Sequence, residues 1–405
     1  MATGASRSVS PTRRSVAVVA ACPLPAPRGT PVRALRLSEA LAARGHEVHV
    51  VTYHLGEGAV SDGLSIHRIP EVPTYRKTSP GPSWQKLLVL DPLLAATLRR
   101  VLDTHRFDVI HAHHYEGLLA ALAGSWDCGL PVVYDAHTLL GSELPTYRLG
   151  VPRPWLRALG LALDAHMPRL ADRVIAVTES IASRLAGLGV DSGRIAVASN
   201  GVEPEFFRPA SATERDSADA ERIAFAGNLA SYQRVDLLLE AFRHVRGARP
   251  GARLSILTRS AFAPYEDLAR ALGVRAAIDV VATDPWQIPD RLSRVAVAVN
   301  PRTECDGIPL KLLNYMAAGC AIASFAGSAP VLRHGETGLL APDGDAVALA
   351  GAILDALDDP ERARRLGQNA REFVRRHHGW PQVAARVEEV YAGALAGPRR
   401  TGRIG

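Results

Sequence analysis

The chain has 405 residues, 47% hydrophobic and 22% charged, with a net charge of +6, so it is globular and too long for one ordinary core; two domains of roughly 150–200 residues are expected. The positive charge comes from arginines spread along the chain, which suits an anionic ligand or membrane surface; no aromatic-interleaved basic run or zinc spacing points to nucleic acid. Cys22, Cys128, Cys305 and Cys320 have no metal or redox spacing and fit a reducing cytoplasm, and no run reaches the roughly 18 apolar residues that span a bilayer.

Residues 1–14 read as a disordered tail. The apolar run that follows them lasts only about seven residues before prolines, so it reads as a first strand and not as a secretion signal. From there, short β-branched runs alternate with helical stretches. In the first half, strands are expected at 16–21, 48–52, 109–112, 132–135, 174–177 and 195–198, with helices at 32–44, 117–123, 155–170 and 179–188. The strand segments are nearly continuous apolar runs, as in a parallel sheet covered on both faces. Over 205–222 the pattern dissolves into polar residues, a linker. It restarts with strands at 223–226, 254–258, 278–281, 295–300 and 321–324, and helices at 235–245, 265–272, 310–318, 346–357 and 361–375. A last helical stretch, 382–395, follows Trp380 and Pro381. This is an α/β chain of two doubly wound halves, a first domain over 15–204 and a second over 223–378, with a terminal helix over 379–396 and a tail over 397–405. Two such sheets in tandem place a ligand cleft at the carboxyl ends of their strands. Neither first strand is followed by G-x-G-x-x-G, which disfavours a lone dinucleotide site.

The richest segment is "ECDGIPLKLLNYMAAG", Glu304 to Gly319. Pro309 suits the start of a helix and Gly319 the residue past its end. Lys311 and Asn314, three apart, share a face. A helix N-terminus with a lysine favours an anion, although a buried amphipathic helix with a solvent-facing lysine has the same spacing. In the first loop, Gly29 permits close approach of a ligand to the backbone and Arg33 is placed to reach it; an ordinary turn also fits. "VIHAHHYEG" puts His111 and His113 on one face of a strand end, beside His114. No further ligand completes a metal set there, so pocket lining is preferred. "VVYDAHTLLGSE" ends another strand with Asp135, His137 and Glu143. His137 is placed either to hydrogen-bond a sugar hydroxyl or to be satisfied by loop carbonyls. In "IAFAGNLASYQRVDLLLEAF", Gly227 and Asn228 open a loop and Arg234 begins a helix, a second anion site. Two such sites at strand ends of one sheet suit a diphosphate.

These segments, in this order and spacing, resemble a family 4 glycosyltransferase of the GT-B fold, from Val16 to Leu395. The resemblance implies two tandem Rossmann-like domains with a cleft between them and a C-terminal helix crossing back to the first. It implies transfer of a hexose-type sugar from a nucleotide-diphosphate donor, held mainly by the second domain, to a hydroxyl of a glycan, lipid-linked or small-molecule acceptor. Retention of configuration, no required metal or cofactor, and a cytoplasmic place in glycan, polysaccharide or glycolipid biosynthesis come with it. By the same resemblance His137 matches the histidine beside the transferred sugar, and Gly29 the glycine loop near the diphosphate. Asp306 and Asn314 occupy the two ends of the family's Glu-x7-Glu motif, with Lys311 between them. The expected catalytic residues are then His137, Lys311 and Arg234. Donor contacts are expected from Gly29, Gly227, Asn228, Asp306, Gly307, Ile308, Leu312 and Asn314, and acceptor contacts from His113, Glu143 and Arg33. The chain departs from the pattern at Asp306, one methylene short, at Asn314, an amide for a carboxylate, and at Asn228 and Gln233, which replace a phosphate-gripping arginine and lysine. Those departures keep open a nucleotide-sugar-binding protein without catalysis; a GT-B nucleotide-sugar epimerase, which would need no acceptor, is a further alternative. The stretches from Trp84 and from Arg153 are apolar-faced and arginine-flanked, suited to lying on the inner face of an anionic membrane or to covering a sheet.

Overall fold

A computed structural model describes residues 13–26, 29–56, 58, 60–77, 81, 83–147, 150–207, 221–305 and 307–397. The chain forms two compact units: Met1–Ser199 with Val383–Gly405, and Asn200–Gln382. Most of the expected tails and linker, and Asp306, lie outside the described residues.

The first unit is built on a seven-stranded, wholly parallel sheet. Its strands are β1 (Ser15–Ala20), β2 (Glu47–Thr52), β3 (Leu64–Arg68), β4 (Val109–His113), β5 (Val132–Ala136), β6 (Arg173–Ala176) and β7 (Ile195–Val197), in the order β3-β2-β1-β4-β5-β6-β7. The second unit holds β8 (Arg222–Ala226), β9 (Arg253–Thr258), β10 (Ile278–Ala282), β11 (Val297–Asn300), β12 (Ala321–Phe325) and β13 (Leu339–Ala341), in the order β10-β9-β8-β11-β12-β13. In each sheet the winding reverses beside the first strand, between β1 and β4 and between β8 and β11. That reversal opens a crevice at the strands' carboxyl ends, the usual ligand position in such sheets.

Strand chemistry follows from burial on both faces. In the second unit, Ile223 and Phe225 of β8 join one core and Ala224 and Ala226 the other; Val297 and Val299 of β11 divide from Ala298 in the same way. The alternation is the two-residue period of a strand, with helices supplying apolar cover on each side. Two strands differ from the expectation. β3 is a half-exposed edge, and β13 has only three residues, so neither carries a long apolar run.

The terminal helix Trp380–Leu395 begins in the second unit, but from Val383 its residues belong to the first. There Tyr391 is fully buried with its hydroxyl 2.6 Å from His111 Nδ1, and Arg44 meets Glu388 at 2.5 Å.

The helix Leu310–Ala318 stops at Gly319, whose left-handed φ of 69° a side chain would strain. The helix Pro360–His377 crosses that end through Gly367, where a Cβ would stand 2.1 Å from the Gly319 carbonyl oxygen. The obstacle is backbone and cannot rotate away. Gly367→Ala is expected to cost about 1–3 kcal/mol through overpacking, despite alanine's better helix propensity. A urea melt with an unchanged or raised midpoint would contradict this account.

Candidate functional site

The loops at the β8–β11 reversal gather the second unit's candidate residues. Tyr315 fixes the helix Leu310–Ala318 to the sheet: its buried hydroxyl accepts from the Ala226 N–H at 2.7 Å. The anchored helix presents Lys311 and Asn314 on one half-buried face, while Leu312, Leu313 and Tyr315 enter the core. Lys311 Nζ donates to Gln233 Oε1 and lies 4.4 Å from the Phe225 ring centroid. Among the described residues it meets no carboxylate. Burial, and next the charge of Arg302, lower its pKa to about 7.

Gln233 is buried and reaches Asn228 Oδ1 at 3.5 Å, and Asn228 Nδ2 donates to Tyr232 Oη at 3.0 Å. Arg302, two residues past β11, lies over the Tyr232 ring at 4.9 Å. Sequence reasoning passed over Arg302. Its one signal was its place directly after a strand at the sheet reversal.

Other expected donor residues differ in detail. Arg234 caps the helix Val235–Ala248 in the left-handed region, φ 54°, and its guanidinium is tied to Asp236 at 2.9 Å. Its charge is thus answered within its own turn. The Gly227 N–H donates to Leu257 O at 3.0 Å and the Leu312 N–H to Pro309 O at 2.9 Å. Both backbone donors are occupied, so these two positions do not supply free N–H groups to an anion. Gly307 and Ile308 are half-buried beside the helix start, where Asn200 Nδ2 approaches Ile308 O at 3.5 Å. Asp306 lies outside the described residues.

In the first unit, Asp135 is the hub. It is fully buried, and Arg33, also fully buried, meets it at 2.9 Å while donating to Ser199 O and Ala198 O. Arg33 is therefore not an acceptor contact: a guanidinium sunk in the core is anchored by a carboxylate and two carbonyls. Burial works against the Asp135 charge, yet Arg33, His137 and His111 hold its pKa well below the usual carboxylate range. His111 Nε2 stands 3.2 Å from Asp135, and His113 Nδ1 stands 3.1 Å from His137 Nε2. His113 is only 1% exposed, so it backs His137 and cannot itself meet an acceptor. His137 sits at the rim of this network, its Nδ1 3.1 Å from Thr30 Oγ1. Burial pushes its pKa down to about 3, against the pull of Asp135, which leaves the ring neutral at physiological pH. Gly29 begins the helix Gly29–Ala43, and a side chain there would meet nothing within 4 Å. Protein packing thus does not demand glycine at this position.

His111, His113 and Asp135 have the spacing of a metal-ligand group. The Arg33 guanidinium already occupies the Asp135 carboxylate, so a cation would meet a fixed positive charge. These residues fit a hydrogen-bonded network better than a metal centre.

Glu143 belongs to a second cluster. His114, held at φ 65°, meets Glu116 at 2.5 Å and Glu143 at 3.5 Å; Lys86 pairs with Glu116 at 3.0 Å and Tyr147 donates to Glu143. Although burial opposes it, Glu116 and Glu143 raise the His114 pKa to about 10, so its ring is charged. A non-glycine residue in the left-handed region is strained, and His114 carries that strain where β4 ends.

Two parallel doubly wound units with candidate ligand loops at their strand ends are the parts of a GT-B fold, and the comparisons show that the chain is a glycosyltransferase. Residues 27–206 match the family model described as Glycosyltransferase Family 4, and residues 210–373 the model described as Glycosyl transferases group 1. The chain is 31% identical over 327 residues to D-inositol 3-phosphate glycosyltransferase from Thermobispora bispora, covering 74% of each chain. Sucrose-phosphate synthase from Thermosynechococcus elongatus superposes with a TM-score of 0.80 at 21% identity, over 95% of this chain and 100% of that one. HepE from Anabaena, solved in complex with UDP-glucose, gives 0.70 at 14% identity over 94% of this chain and 100% of that one. The protein belongs to the family 4 glycosyltransferases.

The Arg33–Asp135 pair makes a prediction that separates a structural role from ligand binding. Arg33→Met leaves the buried Asp135 carboxylate with histidine partners only and no fixed counter-charge, and is expected to cost about 3–5 kcal/mol in urea unfolding. Adding Asp135→Asn should recover part of that loss. A single variant with the wild-type midpoint would show that the pair does not hold the core.

Proposed function

We propose that this glycosyltransferase moves a hexose from a nucleotide-diphosphate sugar to an acceptor hydroxyl with retention of configuration and without a required metal, in glycan, polysaccharide or glycolipid synthesis. The observation that carries the reading is Lys311: a half-buried ammonium at a helix start, beside a sheet reversal, facing a neutral amide and no described carboxylate. Such a charge is costly in the free protein and is relieved by an anion. HepE, a fold relative, is known with UDP-glucose, which supports a diphosphate as that anion.

In the reaction the bond between the sugar's anomeric carbon and the diphosphate oxygen breaks, and its electron pair stays on that oxygen. Lys311 stabilises the developing negative charge where water is partly excluded. The acceptor oxygen bonds to the anomeric carbon on the face the diphosphate leaves, and its proton passes to the departing phosphate oxygen. Neutral His137, its ring nitrogens held by Thr30 and His113, lines the sugar's wall without adding charge and meets a hydroxyl only where that hydroxyl takes the place of Thr30 Oγ1. Asn314 makes no hydrogen bond to the described residues, so its amide has both a donor and an acceptor to offer the donor's hydroxyls.

A catalytically silent binding protein remains the chief competitor, on the strength of the neutral residues at 228, 233 and 314. A panel of nucleotide sugars with and without acceptors separates the readings, starting from whichever of UDP, GDP or ADP raises the melting temperature. Release of nucleoside diphosphate, accelerated by acceptor, supports transfer. Tight binding without release supports the binding protein, and acceptor-independent sugar interconversion the epimerase. Lys311→Ala should lower turnover by about 10²–10³. A nucleotide sugar's diphosphate does not ionise near neutrality, whereas Lys311 loses its proton as pH rises through about 7. Donor affinity should therefore fall above that pH in the wild type and stay flatter in Lys311→Arg, whose guanidinium remains charged. Parallel pH profiles for the two proteins would refute the assignment.

Peripheral contact with an anionic membrane is the reading for localisation, and a doubly apolar helix favours it. The helix Arg153–His166 buries Leu156 and Gly160 yet leaves Trp155 74% and Leu159 53% exposed, with Arg153 and Arg157 exposed alongside. Trp84 is 78% exposed and Leu88 is exposed beside it; a Cβ at the nearby Gly81 would touch the Tyr147 ring, so that segment approaches the one leading into this helix. Among the described residues no helix is long and apolar enough to cross a membrane. Aromatic and arginine side chains of this kind suit an interface. Vesicles containing anionic lipid should pellet the protein, zwitterionic vesicles should not, and Trp84→Ala with Trp155→Ala should abolish pelleting. Failure of anionic vesicles to pellet the wild type would sink the reading.

A further inference from the structure

Arg302 lies two residues past the end of β11, at the reversal in the second sheet. Its main chain is pinned from below. Asn300, fully buried, donates to Ser324 Oγ at 2.9 Å and to Ser328 Oγ at 2.8 Å, and Ser328 Oγ donates to the Arg302 carbonyl at 2.5 Å. Its side chain is held from the side: the guanidinium covers Tyr232 at 4.9 Å, and Tyr232 Oη accepts from Asn228. Nε donates to the Glu304 carbonyl. Both terminal nitrogens are left without a hydrogen bond to any described residue, and no described carboxylate pairs with the group. An aromatic face steadies a cation without neutralising it. A guanidinium with its fork unoccupied is shaped for two oxygens of one anion.

Lys311 is built in the same way. It has a ring beneath it (Phe225), a neutral oxygen beside it (Gln233) and, among the described residues, no acid opposite. The two arrangements meet at Asn228, whose Nδ2 reaches Tyr232 and whose Oδ1 receives Gln233. The charges are close enough for Arg302 to depress the Lys311 pKa. Arg234, by contrast, is spent on Asp236.

From this geometry we infer that Arg302 and Lys311 form a two-cation cradle for the diphosphate of the sugar donor, with Arg302, and not Arg234, as the second phosphate-binding residue. This rests on the donor reading above and assigns it a further residue. Tyr232 and Asn228 act as positioning residues for Arg302. The diphosphate removes the repulsion between the two cations, so the preorganised pair binds it more tightly than a single phosphate.

The test measures binding by calorimetry, using the nucleoside diphosphate that stabilises the wild type among UDP, GDP and ADP, and its monophosphate. Arg302→Met should weaken the diphosphate by about 10- to 100-fold, the effect of losing hydrogen bonds to a charged group, and change monophosphate binding about twofold or less. Arg302→Lys should recover only part, having charge without the fork. Tyr232→Leu should weaken the diphosphate less than Arg302→Met does. Arg333→Ala, a remote exposed arginine, serves as the control and should bind like the wild type. Wild-type diphosphate affinity in Arg302→Met, or equal losses for mono- and diphosphate, would overturn this inference and leave the donor reading standing. A wild-type protein that binds none of the three diphosphates would overturn both.

Discussion

An ammonium kept half out of water, with no acid among the described residues to answer it, is the constraint around which the Lys311 side of the second unit is arranged. Lys311 needs Phe225 beneath it, Gln233 beside it and a helix locked to the sheet by Tyr315, and each comes from a different stretch of chain. None of these partners neutralises it. A surface lysine would relax into solvent, and a core lysine would acquire a carboxylate or lose its proton. Here burial and Arg302 lower the pKa to the edge of physiological pH, and no described carboxylate supplies a counter-charge. Folding pays that cost, and a bound anion returns it.

The first unit treats its buried cation in the opposite manner. Arg33 is as deeply placed as any apolar core residue, but Asp135 and two carbonyls satisfy it completely. Nothing is left over for a ligand. What the pair does instead is fix the charge around which His111, His113 and His137 are ordered, so that His137 reaches the rim with a settled orientation and no proton to lose near neutrality. Satisfaction of hydrogen-bonding capacity, more than burial or residue type, separates the structural arginine from the ligand-binding one.

The same distinction explains what could be read from the sequence. Strands buried on both faces announce themselves as apolar runs, and the central strands of both sheets were legible, as were the edges β7 and β10; β3, a half-exposed edge interleaved with polar residues, and β13, three residues set between turns, were not. The shared face of Lys311 and Asn314 followed from helical spacing alone. Arg33 looked like a ligand contact because its position in a first helical turn is visible locally, whereas Asp135, 102 residues on, is not. Gly227 and Leu312 were expected among the donor contacts for the same reason: that their N–H groups are occupied depends on Leu257 and on the turn that starts the helix. Arg302 was invisible for want of periodicity, since a loop residue after a strand has no pattern to betray it.

The departures at Asn228 and Gln233 take on a different meaning in this setting. Read by position, a neutral residue where the family resemblance implies a cation is a loss. Read by space, Gln233 is the oxygen that receives Lys311, and Asn228 braces the tyrosine that carries Arg302. Cations at 228 and 233 would crowd against those already supplied by the neighbouring strand end and helix, raising the cost of the empty site. The amides are what allow the two charges to stand where they do. An anion senses the local field and the directions of its donors, not the chain position from which they come. Positive charge delivered from β11 and from the helix Leu310–Ala318 thus meets the same chemical demand as charge delivered from the loop after β8.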